Sequence, residues 1–186
     1  VVKVEYLRIP KERIGVLIGK GGEVKRRIEA ELKVKITVDK EGMVTIENAG
    51  GEPLATWTAR DIVRAIARGM SPEKAMKLTH EDYMLELIDL SEYLRTPKAI
   101  IRQKARIIGT KGKTRRYIEE TTGTNVSVYG KSVAIIGPIE EVQVAREAVL
   151  MLVQGKPHSA VYRFLDRKAR ELKEKRLMSL WKKPFP

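Results

Sequence analysis

The sequence predicts an α+β protein made of two copies of one small fold. Three observations predict it: an internal repeat, a Gly-x-x-Gly stretch at the same place in each copy, and periodicities that switch between helix and strand around that stretch. Ile18-Gly19-Lys20-Gly21-Gly22 aligns with Ile108-Gly109-Thr110-Lys111-Gly112 at an offset of 90. Without a gap, Arg26 meets Arg116, Ile28 meets Ile118, Glu29 meets Glu119 and Val38 meets Val128. Further on the offset falls to 86, where Ala59-Arg60 meets Ala145-Arg146 and Gly69 meets Gly155.

The first copy opens with Val2 to Ile9, rich in β-branched residues and therefore a strand. Pro10 suits the first position of a short helix reaching Ile18. After the glycine loop, Val24, Ile28 and Leu32 recur at helical spacing, which predicts a helix over 23–32. Val34, Ile36 and Val38 alternate with Lys35 and Thr37 as in a half-buried strand. Asp39-Lys40-Glu41-Gly42 is a turn, and 43–47 returns as the partner strand. The copy closes with a helix over 53–68, its apolar face read as Trp57, Ile62, Ala65 and Ile66. Ser71-Pro72-Glu73 carries an N-cap, a first-turn proline and a first-turn acid, so a linker helix is expected from Pro72 to about Leu78.

The second copy repeats the order. Strands are expected at 84–90, 126–129 and 133–136, and helices at 98–108, 113–122 and 139–153, with Gly123 as a C-cap. Eighteen residues separate Leu90 from its loop, against nine between Ile9 and Gly19, and Tyr93-Leu94 in that stretch suggests an extra helical turn. In the tail, Val161, Phe164, Leu165, Ala169 and Leu172 keep helical spacing and should dock. The expected organisation is a first domain over 1–70, a linker over 71–82, a second domain over 83–156 and a basic tail over 157–186.

Composition narrows the function. The absence of cysteine excludes disulfides, thiolate chemistry and cysteine-ligated zinc. Scarce Asn and Gln with 33% charged residues point to a thermophile. No apolar run approaches the roughly 20 residues of a membrane span. The opening Val1-Val2-Lys3-Val4-Glu5 reads as a strand rather than a leader, so a soluble cytoplasmic protein without membrane partners is expected. The net charge of +13 attracts polyanions. That surplus is concentrated: Arg95 to Arg116 holds nine basic residues and no acid, whereas Lys11 to Arg27 holds six basic and two acidic.

A helix starting just after a glycine loop offers unpaired amides and the positive end of its dipole, which suits phosphate. Glycine lets a nucleic-acid backbone approach closely. The middle residues Lys20-Gly21 and Thr110-Lys111 include no acid, and Lys25, Arg26 and Arg27, then Lys113, Arg115 and Arg116, follow in the next turns. One Gly-x-x-Gly alone is an ordinary turn; two in matched contexts beside basic turns indicate a backbone-binding site.

These motifs, each in the order strand–helix–loop–helix–strand–strand–helix, resemble type I KH domains. The resemblance implies tandem three-stranded antiparallel sheets, each packed by three helices, with a C-terminal helical tail. It implies RNA binding at Gly19, Lys20, Gly21, Gly22, Lys25, Arg26 and Ile36, and at Arg106, Ile107, Ile108, Gly109, Thr110, Lys111, Gly112, Lys113, Arg115, Arg116 and Val126. Such a loop clamps about four nucleotides. Many KH domains carry an aliphatic residue three positions past the last loop glycine; Lys25 and Arg115 stand there instead, which implies a more basic groove.

Across nearly the whole chain, Lys113-Thr114-Arg115-Arg116-Tyr117-Ile118-Glu119, Ser127-Val128-Tyr129-Gly130-Lys131 and Pro157-His158-Ser159-Ala160-Val161-Tyr162 resemble archaeal relatives of the Partner of Nob One family of ribosome-assembly proteins. That resemblance implies a non-catalytic factor binding the 3′ end region of small-subunit ribosomal RNA. Its partners would be the endonuclease Nob One and other ribosome-assembly or translation factors. The alternative is a KH-type regulator of translation or RNA decay. Neither His80 nor His158, nor pairs such as Glu119-Glu120 and Glu140-Glu141, show catalytic or metal-ligand spacing, so no catalytic residue, metal or cofactor is expected.

Overall fold

The computed structural model describes residues 3–182. The chain divides into two units between Leu85 and Glu86, just inside the strand that opens the second.

The first unit begins with β1 (Val4–Arg8), α1 (Lys11–Ile18) and α2 (Glu23–Leu32), with one 3₁₀ turn over Lys20–Gly22 between the two helices. β2 (Val34–Val38), β3 (Met43–Asn48) and α3 (Ala55–Ala67) follow. The sheet runs β1-β3-β2 and is antiparallel throughout, with Tyr6 opposite Thr45 and Ile36 opposite Ile46. Alternation decides which side is covered: Val34, Ile36, Val44 and Ile46 are buried, together with Leu17, Ile28, Ile62 and Ile66 from the helices. The strand start expected at Val2 lies outside the described residues.

Helix α3 departs from its expected face. Trp57 is 43% exposed, and its ring N–H donates to Glu5 at 3.0 Å while the Lys3 ammonium sits over the ring. Ala59, Ile62, Val63 and Ile66 form the core stripe, and Trp57, two residues from Ala59, points about 200° away from it. The expected linker helix is α4 (Pro72–Ala75) continued by a 3₁₀ turn over Met76–Thr79. Ser71 caps it by accepting from the Lys74 amide. Its Ala75, Met76 and Leu78 are buried and it packs on α3, so this stretch lies within the first unit.

The second unit is built on the same plan from β4 (Tyr83–Asp89), α5 (Pro97–Ile108), α6 (Lys113–Thr122), β5 (Asn125–Tyr129), β6 (Ser132–Pro138) and α7 (Ile139–Val153). Its sheet order is β4-β6-β5. The longer entry forms a 3₁₀ turn over Leu90–Glu92 and an extra turn at the start of α5, capped by Thr96 accepting from the Ala99 amide. The tail is α8 (His158–Trp181), packed on α6 and α7. Val161, Phe164 and Leu165 are buried, while Ala169 and Leu172 are half-buried. Among the described residues no helix is long and apolar enough to cross a membrane.

The equivalent helices α2 and α6 end differently. Gly123 closes α6 with φ 68°, but Lys33 closes α2 with φ 51°, a left-handed conformation that costs a side chain energy. Lys33→Gly is expected to stabilise the first unit by about 1 kcal/mol in chemical unfolding, since glycine relieves the strain and only part is returned as unfolded-state entropy. A destabilised variant would mean that Lys33 is held by contacts outweighing its backbone.

Candidate nucleic-acid interface

Each loop is a tight turn whose two outer glycines do different jobs. Gly19 and Gly109 both have φ 74° and end the first helix of their pair. A Cβ on Gly19 would lie 2.5 Å from Val24 Cγ2 and 2.9 Å from the Val24 amide nitrogen. On Gly109 it would lie 2.3 Å from Thr114 Oγ1 and 2.7 Å from the Thr114 amide nitrogen. The first glycine therefore lets the loop close against the helix that follows. Gly22 and Gly112 are left-handed at φ 80° and 74°, but the nearest atoms to an added Cβ are Arg side chains at 3.9 and 3.8 Å. The space beside the last glycine is open.

The middle residues Lys20, Gly21, Thr110 and Lys111 are exposed, so neither loop is plugged by the chain's described residues. Lys111 holds φ 54° where the first loop has Gly21 at φ 61°. A lysine kept in a left-handed conformation at a loop tip is strained, and strain of this kind gathers at binding sites.

The two loops differ most in the cations around them. Near the first, Lys25 pairs with Glu29 at 2.9 Å, Arg27 with Glu31 at 3.4 Å and Lys11 with Glu41 at 2.8 Å. Arg13 donates to the carbonyls of Ile66 and Met70, and Arg26 to that of Gly21 at 2.7 Å. Between Lys11 and Arg27 only Lys20 is left unengaged among the described residues. Along α5, the second loop and α6, Arg95, Lys98, Arg102, Lys104, Lys111, Lys113 and Arg116 make no ion pair or side-chain hydrogen bond among the described residues, Arg95 and Lys98 standing at the far end of α5. No acid stands in the first turn of α6 to offset its dipole.

Several residues expected at the interface are buried or already bonded within the chain. Ile36, Ile107 and Val126 are 1%, 0% and 2% exposed. They lie in the core beneath the surface, so a base at the groove would meet them only at a covered edge. Ile108 is half-buried and keeps an accessible edge. Arg106 is likewise occupied: its guanidinium donates to the Leu152 carbonyl at 2.7 Å and to that of Lys156, tying α5 to the end of α7. Arg115 bonds Glu119 at 3.1 Å and the Val126 carbonyl at 3.4 Å, while Glu119 accepts from the Val126 amide at 3.2 Å. This bridge joins α6 to β5 under the loop and accounts for an arginine at a position usually aliphatic.

Reading from sequence missed the part that α8 plays. Tyr162 on α8 packs against Tyr117 of α6 with ring centres 4.4 Å apart and the rings tilted by 46°, and its hydroxyl bonds Thr114 at 3.2 Å. Tyr117 donates to Asp166, and that bond, with partial burial, raises the Tyr117 hydroxyl above its ordinary pKa. The tail thus braces the helix on which the second loop stands. The only signal for it was the helical spacing of the tail's apolar residues.

Comparison with known proteins agrees with this architecture. Residues 4–65 match the KH domain family, and residues 84–170 match the eukaryotic type KH domain (KH-domain type I). A KH domain-containing protein of Methanocaldococcus jannaschii is 53% identical over 182 residues, covering 97% of this chain and 80% of that protein. The pre-rRNA-processing protein PNO1 of Chaetomium thermophilum is 30% identical over 154 residues, covering 81% of this chain and 58% of that protein. The chain belongs to the PNO1-like proteins with two KH domains. Both KH domains keep their glycine loops. This PNO1-like chain is also similar to a chain of the a/eIF2alpha–aDim2p–rRNA complex of Pyrococcus horikoshii. That match has a TM-score of 0.87 and 48% identity, covering 91% of this chain and 96% of that one.

Proposed function

We propose that the protein binds single-stranded RNA through both glycine loops, chiefly the second, and acts without catalysis in small-subunit ribosome biogenesis. Its target is the 3′ end region of small-subunit ribosomal RNA. The carrying observation is an open loop at a helix start, with seven unengaged cations between Arg95 and Arg116 in one KH domain and one between Lys11 and Arg27 in the other, among the described residues. Phosphates supply the counter-charge such a surface lacks. A rise in salt weakens binding by about 0.7 log units per phosphate held, per tenfold change in salt. The relatives support the cellular role: one is a pre-rRNA-processing protein, and another belongs to a complex containing rRNA.

The same complex contains a/eIF2alpha, which favours a protein partner alongside RNA. The endonuclease Nob One is the further partner in this reading. The first KH domain, with its cations already paired, is the natural surface for a protein. Crosslinking the protein to RNA in cells and sequencing the attached fragments tests the target. Fragments should concentrate near the 3′ end of small-subunit rRNA. Fragments scattered over messenger RNAs would instead support a regulator of translation or decay. Nob One should co-purify after ribonuclease treatment, and RNA incubated with the pure protein and Mg²⁺ should remain intact.

A further inference from the structure

Beside the second loop lies an open cavity of about 490 Å³. Arg102 and Arg106 of α5, Lys113 and Thr114 of α6, and His158 and Tyr162 of α8 line it. Gly109 and Thr110 of the loop border it too and no residue of β5 does, so it adjoins the loop next to α8 rather than over that strand. We propose that it seats one further RNA nucleotide, its phosphate between Arg102 and Lys113 and its base against the rings of His158 and Tyr162. This rests on the second loop binding RNA and lengthens the stretch that this domain holds.

Charge is the first argument. Arg102 and Lys113 are both exposed and both unengaged, and they face one cavity. Neither α6 nor α8 carries an acid in its first turn, so two uncompensated positive helix ends border the same space. Like charges gathered this way repel one another unless an anion joins them.

The first copy supplies the second argument. At the offset of 90, Glu12 stands where the second copy has Arg102, and Glu23 where it has Lys113. Both positions reverse their charge while the loop glycines between them are kept. A requirement of the shared fold would give the same residue type in both copies. A reversal at two positions lining one cavity marks a feature of the second domain alone.

The third argument is the wall. His158 Nε2 lies 3.0 Å from the Arg106 carbonyl, which can only accept, so Nε2 carries the proton and Nδ1 is left free. Tyr162 is pinned by Tyr117 and Thr114, so its ring is held in place before any ligand arrives. A pre-set ring beside a phosphate site is how single-stranded RNA bases are commonly received.

The test compares fluorescein-labelled oligoribonucleotides of four and of eight residues, in mixed sequence, on the full chain and on Arg102→Glu, which places the first copy's charge in the second. Wild type should bind the octamer more tightly than the tetramer. The variant should weaken both oligonucleotides, since Arg102 belongs to the cations near the loop, but it should lose most of the length gain, with a salt slope that falls by about 0.7 more for the octamer than for the tetramer. Ultraviolet crosslinking of the octamer should label the His158–Tyr162 peptide in wild type. An unchanged length gain in Arg102→Glu, or equal losses for both lengths, would overturn the proposal. If neither oligonucleotide binds wild type, the reading of the loop itself fails, and this proposal with it.

Discussion

Aspartates at Thr110 and Lys111 are expected to weaken single-stranded RNA binding by roughly a hundredfold, taking two phosphate contacts at about 1.5 kcal/mol each. Aspartates at Lys20 and Gly21 should cost clearly less. The ranking comes from the surroundings. The stretch from Arg95 to Arg116 that carries the second loop holds seven cations with no partner among the described residues, whereas those from Lys11 to Arg27 are already paired or bonded to carbonyls, Lys20 excepted. A phosphate at the first loop therefore competes with Glu29, Glu31 and Glu41, which already hold Lys25, Arg27 and Lys11.

Backbone strain cannot produce this ranking. Gly21→Asp forces a side chain into φ 61°, a cost the first loop does not now bear, while Lys111 already sits at φ 54° with a side chain present. Strain alone would make the first-loop variant the worse of the two. Fluorescence anisotropy on the same RNA decides the matter, and equal losses would refute the ranking.

How far the sequence anticipates this structure depends on whether a feature is local. The glycine loops, the helices around them and the paired strands are set by residues within a few positions, and all are legible from periodicity and turn chemistry. Trp57, Arg106 and Arg115 are not. Arg106 looks like a loop cation, but its carbonyl partners lie 46 and 50 residues away at the end of α7. Arg115 looks like an RNA contact until β5 brings the Val126 carbonyl to it. Trp57 belongs to an apolar helix by type, yet the core stripe of α3 turns away from it. An unengaged cation and a bonded one are the same letter, and only the fold separates them.

The two outer glycines of the second loop should separate stability from binding. Gly109→Ala is expected to destabilise the second KH domain by about 3 kcal/mol, an overpacking cost added to a left-handed backbone. Its Cβ would meet both the side chain and the main chain of Thr114, so trimming Thr114 to alanine would remove only the Oγ1 contact and restore stability in part. Gly112→Ala has no such neighbour and carries only the backbone cost, about 1 kcal/mol. Yet its Cβ would stand in the open space where an RNA backbone approaches, so it should bind RNA poorly while remaining folded. Chemical unfolding followed by circular dichroism reads the first effect, and anisotropy on the folded variants reads the second. If Gly109→Ala is as stable as Gly112→Ala, the tight approach to Thr114 is not what holds the loop. If Gly112→Ala binds RNA as wild type does, the backbone does not pass over that glycine.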